Sequence, residues 1–317
     1  MEIFHSCLGR SGECLISDFR FIFYILPLSV NFLLMFVLYR GKCGLSNCTT
    51  RCLLAMAASD LLFIFTEIIL WRLKVLYYPG CFLDITPVCS AVYVLLRAST
   101  DCSVWFTVLF TFDRFVTICC LKMNRKYWTD KTLAVVLAAT SILLCSKNVP
   151  FYFRYRPGRI FNNVPKYCFI KSSYFTDLRW RGFQWFDISL TPFIPFMLIL
   201  LMNTLTVRYI LVASRVRKSL MGQSKGESRK DTEMESRKKS VICLFTISIS
   251  FILLWGVYIA TVLYFTIKAR GPWKNVYFIW TGEILLDLSC STNTLFYAVT
   301  VPRFRDKFRN AVQQLVT

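Results

Sequence analysis

What is scarce in this chain narrows its function early. Histidine occurs once, as His5, and no Gly-x-Ser-x-Gly, His-Glu-x-x-His or P-loop pattern occurs anywhere. General-base, zinc-hydrolase and phosphate-cradling chemistry therefore have no machinery, and an enzyme is disfavoured. There is no internal repeat, and no pair of Gly/Pro-interrupted apolar segments at matching places in two halves, the usual signature of a transporter. No short apolar region with a small-residue cleavage site precedes the first long apolar block. A cleaved signal peptide is not expected, and the first helix would act as the insertion signal. No cysteine follows Cys290, which excludes a palmitoyl anchor at the C-terminal end.

Apolar residues are in excess. The 317 residues are 56% hydrophobic, with 29 Phe and a mean hydropathy of +0.50. They gather into seven blocks, at about 21–39, 52–71, 88–120, 132–153, 183–213, 240–267 and 275–301. Each is long enough to cross a ~30 Å hydrocarbon core, and lipid forces a crossing segment to pair its own backbone, so helices are expected. The expected fold is an all-α membrane protein. It has an extracellular N-terminus over 1–20, a seven-helix bundle over 21–301, and a cytoplasmic amphipathic helix and tail over 302–317. In that last segment Phe304, Phe308, Val312 and Leu315 share one face, ringed by Arg303, Arg305, Lys307 and Arg309, which suits the lipid surface.

The net charge of +20 sits mostly beside the apolar blocks, in 40–51, 121–131, 214–239 and the tail. The positive-inside rule makes those segments cytoplasmic and puts the N-terminus outside, at the plasma membrane. Lipid headgroups, not nucleic acid, are the partner of this charge. The segment between the fourth and fifth blocks is also basic, with Arg154, Arg156, Arg159, Lys166, Lys171, Arg179 and Arg181, but long loops weigh little in that rule. The third inner loop, MGQSKGESRKDTEMESRKK, reads as a polar linker whose Ser219, Ser224, Ser228, Thr232 and Ser236 are candidate phosphosites.

The third block runs CSAVYVLLRASTDCSVWFTVLFTFDRFVTICC, from Cys89 to Cys120. At ~1.5 Å per residue, the helix from Cys89 to Arg114 spans roughly 37 Å, so the two residues stand at opposite membrane faces. Other polar residues fall inside the blocks, where they are costly and usually functional: Asn31, Asp60, Ser103 and Asn293. Trp255 lies in FILLWGVY with Phe251 one turn earlier, Pro195 lies in TPFIPF, and Asn293 and Tyr297 lie in STNTLFYAV.

Taken together, these residues resemble the rhodopsin-like G-protein-coupled receptors. The resemblance covers nearly the whole chain. It implies a disulfide between Cys89 and Cys168, a G-protein gate at Asp113, Arg114 and Phe115, and activation switches at Phe251, Trp255, Asn293 and Tyr297. It also implies a polar cluster of Asp60, Ser103 and Asn293 that holds a sodium ion in many members; a neutral, hydrogen-bonded Asp60 is the alternative reading. The chain departs from the family at Val257 and Thr294, where helices six and seven carry proline, so those kinks are not assured. Arg237 stands where a helix-six acid often completes an inter-helix lock, which implies elevated basal signalling.

The ligand is narrowed by exclusion. Leu96 occupies the place of the aspartate that aminergic receptors keep, and the absence of lysine from Val276 to Thr300 leaves no Schiff base for retinal. The outer half of the bundle holds Glu67, Arg97, Asp101, Asp187, Glu283 and Asp287. Arg97 and Asp101, four apart, can pair on one helix face, whereas Glu283 and Asp287 repel unless Arg97, a cation or a proton lies between them. These six are either a charged ligand pocket or a salt-bridge network between helices three and seven. With both charge signs present, the expected extracellular ligand is a peptide end or an amino-acid-like molecule. The expected function is transduction of that ligand to heterotrimeric G-proteins; a chemosensory receptor of odorant or taste type is the alternative within the family.

Overall fold

The computed structural model describes residues 10–40, 45–73, 80–120 and 126–221, together with 249–250, 252–261, 263–264, 281–282, 284–290, 292, 305–310 and 313. Among them the apolar blocks are helical. They form α1 (Arg10–Arg40), α2 (Asn47–Ile64), which widens into π-type turns over Phe65–Leu73, and α3 (Thr86–Cys119). Then follow α4 (Asp130–Asn148), α5 (Leu178–Ile188), α6 (Ile194–Met221) and α7 (Ile252–Thr261), with 284–290 helical in the last block. α5 and α6 are two halves of one crossing, so every block is represented and the seven-helix bundle fits. Four spans are by themselves long and apolar enough to cross a membrane: Asn47–Trp71, Thr86–Cys119, Asp130–Arg154 and Leu178–Ala213. α1 starts at Arg10 instead of residue 21, so the first helix is longer than its apolar block.

Local chemistry sets the ends. Before α2, the Ser46 hydroxyl accepts the Thr49 N–H at 3.2 Å, and before α4 the Thr129 hydroxyl accepts the Thr132 N–H at 3.3 Å; both close N–H groups a helix start leaves open. Pro87 sits in the first turn of α3, where no N–H is needed. At the far end of α4, Pro150 cannot donate to a continuing helix, and the chain tightens into a 3-10 turn over Val149–Arg154 before extending at Tyr155. Between α5 and α6 the turn Ser189–Phe193 is π-type, with Thr191 at φ −147 and ψ 110. Proline crowds the residue before it out of the helical region, so the break falls at Thr191 and Pro192, while Pro195 sits harmlessly in the first turn of α6.

α3 is the central rod, packed against α2, α4 and α6. Its hydroxyls bond back along the helix, Thr100 to Leu96 at 2.8 Å, Thr107 to Ser103 at 3.0 Å and Thr111 to Thr107 at 2.8 Å. In lipid this satisfies each hydroxyl without a partner helix and keeps the rod's surface slim enough for close packing. One apolar cluster, at the Arg114 end, joins Leu34, Leu53, Met56, Phe106, Phe110 and Leu133, with Phe308 of the C-terminal helical stretch packed against it. The other joins Phe63, Leu96, Val108, Ile199, Trp255 and Leu286. Phe32, Val135, Leu143 and Leu253 point outward, as a lipid-facing surface requires.

Past α4 the chain forms a hairpin that apolar periodicity did not foretell. β1 (Tyr155–Phe161) and β2 (Val164–Ile170) run antiparallel, with Phe161 opposite Val164. Asn162 and Asn163 close it at φ 47 and 61, the left-handed pair a tight hairpin turn needs and asparagine tolerates. Gly158 is required by a close approach, since a Cβ there would overlap the Phe169 ring. Cys89 and Cys168 are disulfide-bonded, with Cα atoms 6.5 Å apart. The seat is reinforced by the Thr86 hydroxyl donating to Tyr167 O at 3.0 Å and by Lys166 Nζ donating to Gly80 O at 3.1 Å. Cys81 carries no disulfide among the described residues.

Candidate functional site

The two ends of α3 carry separate polar assemblies, with a third midway. At the Cys89 end, Arg97 is ion-paired with Asp187 of α5. Lys147 of α4 lies 2.6 Å from Asp101 Oδ2 and also meets Asp187, and Asn148 Nδ2 donates to Asp101 at 2.6 Å. Asp101 is fully buried and Asp187 is buried. This corrects one expectation: Arg97 turns to α5 instead of pairing with Asp101 on its own helix. The network seen among the described residues joins α3, α4 and α5. The reason is that two buried acids gain more from a cation shared between helices than from one exposed helix-surface pair. Asp287 is buried deeper, beside Cys290, and Glu67 lies on the π-type turns after α2. Glu283 lies outside the described residues.

Lys147 and Asn148 went unremarked in the sequence. A lysine in the last turn of an apolar block is itself a signal, because such a cation must find an acid inside the bundle.

Next to this network, Arg154 is held by rings. Its guanidinium lies 4.3 Å from the Tyr174 centroid, 4.7 Å from Tyr93 and 5.4 Å from Tyr155, and it donates to the Tyr93 hydroxyl. Trp71 and Phe151 extend the aromatic wall, at 5.9 Å from Tyr93 in each case. Burial pushes the Tyr174 hydroxyl up to about 12 and Tyr155 also upward, with the Arg154 charge pulling against both, so both rings stay neutral phenols.

Midway, Asp60 is fully buried, and the Ser103 hydroxyl donates to its Oδ1. Its Oδ2 is buried without a hydrogen bond among the described residues, and the Cys290 thiol is close by. Asn31 Nδ2 donates to Cys290 O at 2.7 Å, tying α1 to the last crossing. A buried carboxylate oxygen short of a partner, with a hydroxyl on its other oxygen, fits a small cation or a proton. Among the described residues no three His, Cys, Asp or Glu side chains converge, so any ion there relies on Asp60 and neutral oxygens. Trp255 is buried against the middle cluster and meets Tyr258 edge-on at 5.7 Å. Phe251, Asn293 and Tyr297 lie outside the described residues.

At the Arg114 end, Arg114 Nε donates to Asp113 Oδ2 at 3.1 Å, and Arg114 also donates to the Thr49 hydroxyl of α2. Trp128, in the segment before α4, donates its Nε1–H to Asp113 Oδ1 at 3.0 Å. The Thr49 hydroxyl also donates to Asp113 Oδ2 at 3.4 Å, and with Asp113 1% exposed, Arg114, Trp128 and Thr49 enclose the carboxylate. Phe115 packs on the middle cluster. Thr49 and Trp128 carried no sequence signal, because each is an ordinary residue until the fold brings it to Asp113.

The family model described as 7 transmembrane receptor (rhodopsin family) matches residues 30–297. The chain is 22% identical over 305 residues to a C-C chemokine receptor type 1 from Macaca fascicularis, covering 92% of this chain and 78% of that receptor. It is 25% identical over 276 residues to a G-protein coupled estrogen receptor 1 from Mus musculus, covering 82% of this chain and 64% of that one.

Proposed function

The chain belongs to the rhodopsin family of seven-transmembrane receptors, a multi-pass membrane protein coupling an extracellular ligand to G-proteins, and we propose how its residues divide that work. The Cys89 end faces outward at the plasma membrane, with the N-terminus, and receives a peptide end or an amino-acid-like ligand. The Arg114 end faces the cytosol, where Asp113, Arg114 and Phe115 gate G-protein access.

The observation that carries this division is the clamp on Asp113. Arg114, Trp128 and Thr49 all close on or beside one buried carboxylate. Such a charge-assisted cluster can hold one state of a two-state equilibrium and be released by outward motion of neighbouring helices. Ligand binding need only favour the released state to shift the population. Trp255, with Phe251, Asn293 and Tyr297, relays between the ends, and a sodium ion at Asp60 and Ser103 favours the clamped state. The basic inner loop receives arrestin once phosphorylated, and the amphipathic tail rests on anionic lipid.

The test is a G-protein reporter in cells displaying the intact chain, challenged with peptides and amino acids. Arg114→Ala abolishes the response at equal surface display; an undiminished response from that variant rejects the gate.

A further inference from the structure

At the Cys89 end, one buried cation has no carboxylate partner among the described residues. Arg97 and Lys147 meet Asp101 and Asp187, two for two. Arg154 is left over. Its contacts are the Tyr93 hydroxyl and three tyrosine faces, and no carboxylate among the described residues bonds it. Its Nε is buried with no acceptor. The charged group acting on it is a second cation, Arg97, while Glu67 acts on Tyr155. Buried charges are ordinarily paired, and tyrosine faces offset only part of a guanidinium's lost hydration. The planar fork of an arginine offers two parallel donors to one carboxylate, a geometry no ring face uses. Arg154 as a whole is half-buried and not sealed in the core.

We propose that Arg154 is an anion subsite that takes the carboxylate of an aromatic or apolar-bodied ligand, the guanidinium pairing with the carboxylate and Trp71, Tyr93, Tyr155 and Tyr174 lining the body. The proposal deepens the reading of this end as the ligand side and rests on it. It also assigns the balanced set of Arg97, Asp101, Lys147 and Asp187 a holding role, since that set leaves no charge to spend on a ligand.

The experiment uses the intact chain in nanodiscs, its thermal unfolding followed with 3-phenylpropionate and with the neutral 3-phenylpropionamide at concentrations up to about 10 mM. On the unsubstituted chain the acid raises the midpoint by about 3 °C and the amide does not. Arg154→Gln loses the shift and Arg154→Lys keeps part of it, because a point charge replaces the fork. Equal shifts from acid and amide, no shift from the acid, or a full acid shift on Arg154→Gln each overturn the proposal. The acid-against-amide comparison needs no variant, so a misfolded Arg154→Gln leaves it decisive. Because this readout involves no G-protein, a chain stabilised by the acid but silent in the reporter sinks the signalling reading alone. A signalling chain indifferent to the acid sinks the subsite alone.

Discussion

Lys147 of α4 reaches Asp101 of α3 at 2.6 Å, and through its second contact, to Asp187, the same ammonium binds α5. One side chain therefore touches acids on two other helices, beside the Arg97–Asp187 and Asn148–Asp101 contacts.

Removing that cation leaves buried Asp101 without a counter-charge, held by the Asn148 amide alone, while Asp187 keeps Arg97. Lys147→Met is expected to destabilise the receptor by about 3–5 kcal/mol, the range for breaking a buried pair from one side. Lys147→Met combined with Asp101→Leu recovers much of it. Thermal unfolding of the purified chain checks both, and a double variant no better than the single one contradicts the pairing.

At the other end, Trp128→Phe removes one donor from Asp113 while keeping the ring. A hydrogen bond to a charged group contributes about 1.5–3 kcal/mol, so the released-to-clamped ratio, and with it ligand-free signalling, should rise by roughly tenfold or more, with Asp113→Asn rising at least as far. The measurement is basal reporter activity normalised to surface display.

Cys168→Ser should cost about 2–5 kcal/mol and reduce surface display. The hairpin keeps its Thr86 and Lys166 hydrogen bonds, so ligand response falls more than display does. A response that tracks display alone would mean the staple serves stability only.

Gly158→Ala forces the Phe169 ring out of its seat, at an expected cost of about 1–3 kcal/mol. Phe169→Ala in the same chain should restore most of that loss. A double-mutant cycle without coupling would place the ring elsewhere.

Sodium is tested directly at Asp60. The unsubstituted chain should unfold at a higher temperature in NaCl than in choline chloride at equal ionic strength, and Asp60→Asn should show no difference between the two salts. An unchanged sodium effect in Asp60→Asn excludes the carboxylate as a ligand.

Much of this architecture could be read before folding. The apolar blocks announced the helices, and the spacing of Cys89 and Arg114 on one block announced a rod joining two faces. What could not be read was partnership. Arg97 and Asp101 satisfy the four-residue rule for a helix pair, yet each found a better partner across a helix boundary, and nothing local encodes that choice. Trp128 and Thr49 are silent for the same reason. Asn162 and Asn163 did carry a hairpin signal, overshadowed by the basic residues around them.

The interruption at Thr191 has a mechanical meaning. Because the helical ladder is not continuous from Ile188 to Ile194, the upper part of the fifth crossing can stay moored by Asp187 while α6 below it swings as a lever. The joint lets the Arg114 end of the bundle move without unfastening the mooring at the Cys89 end.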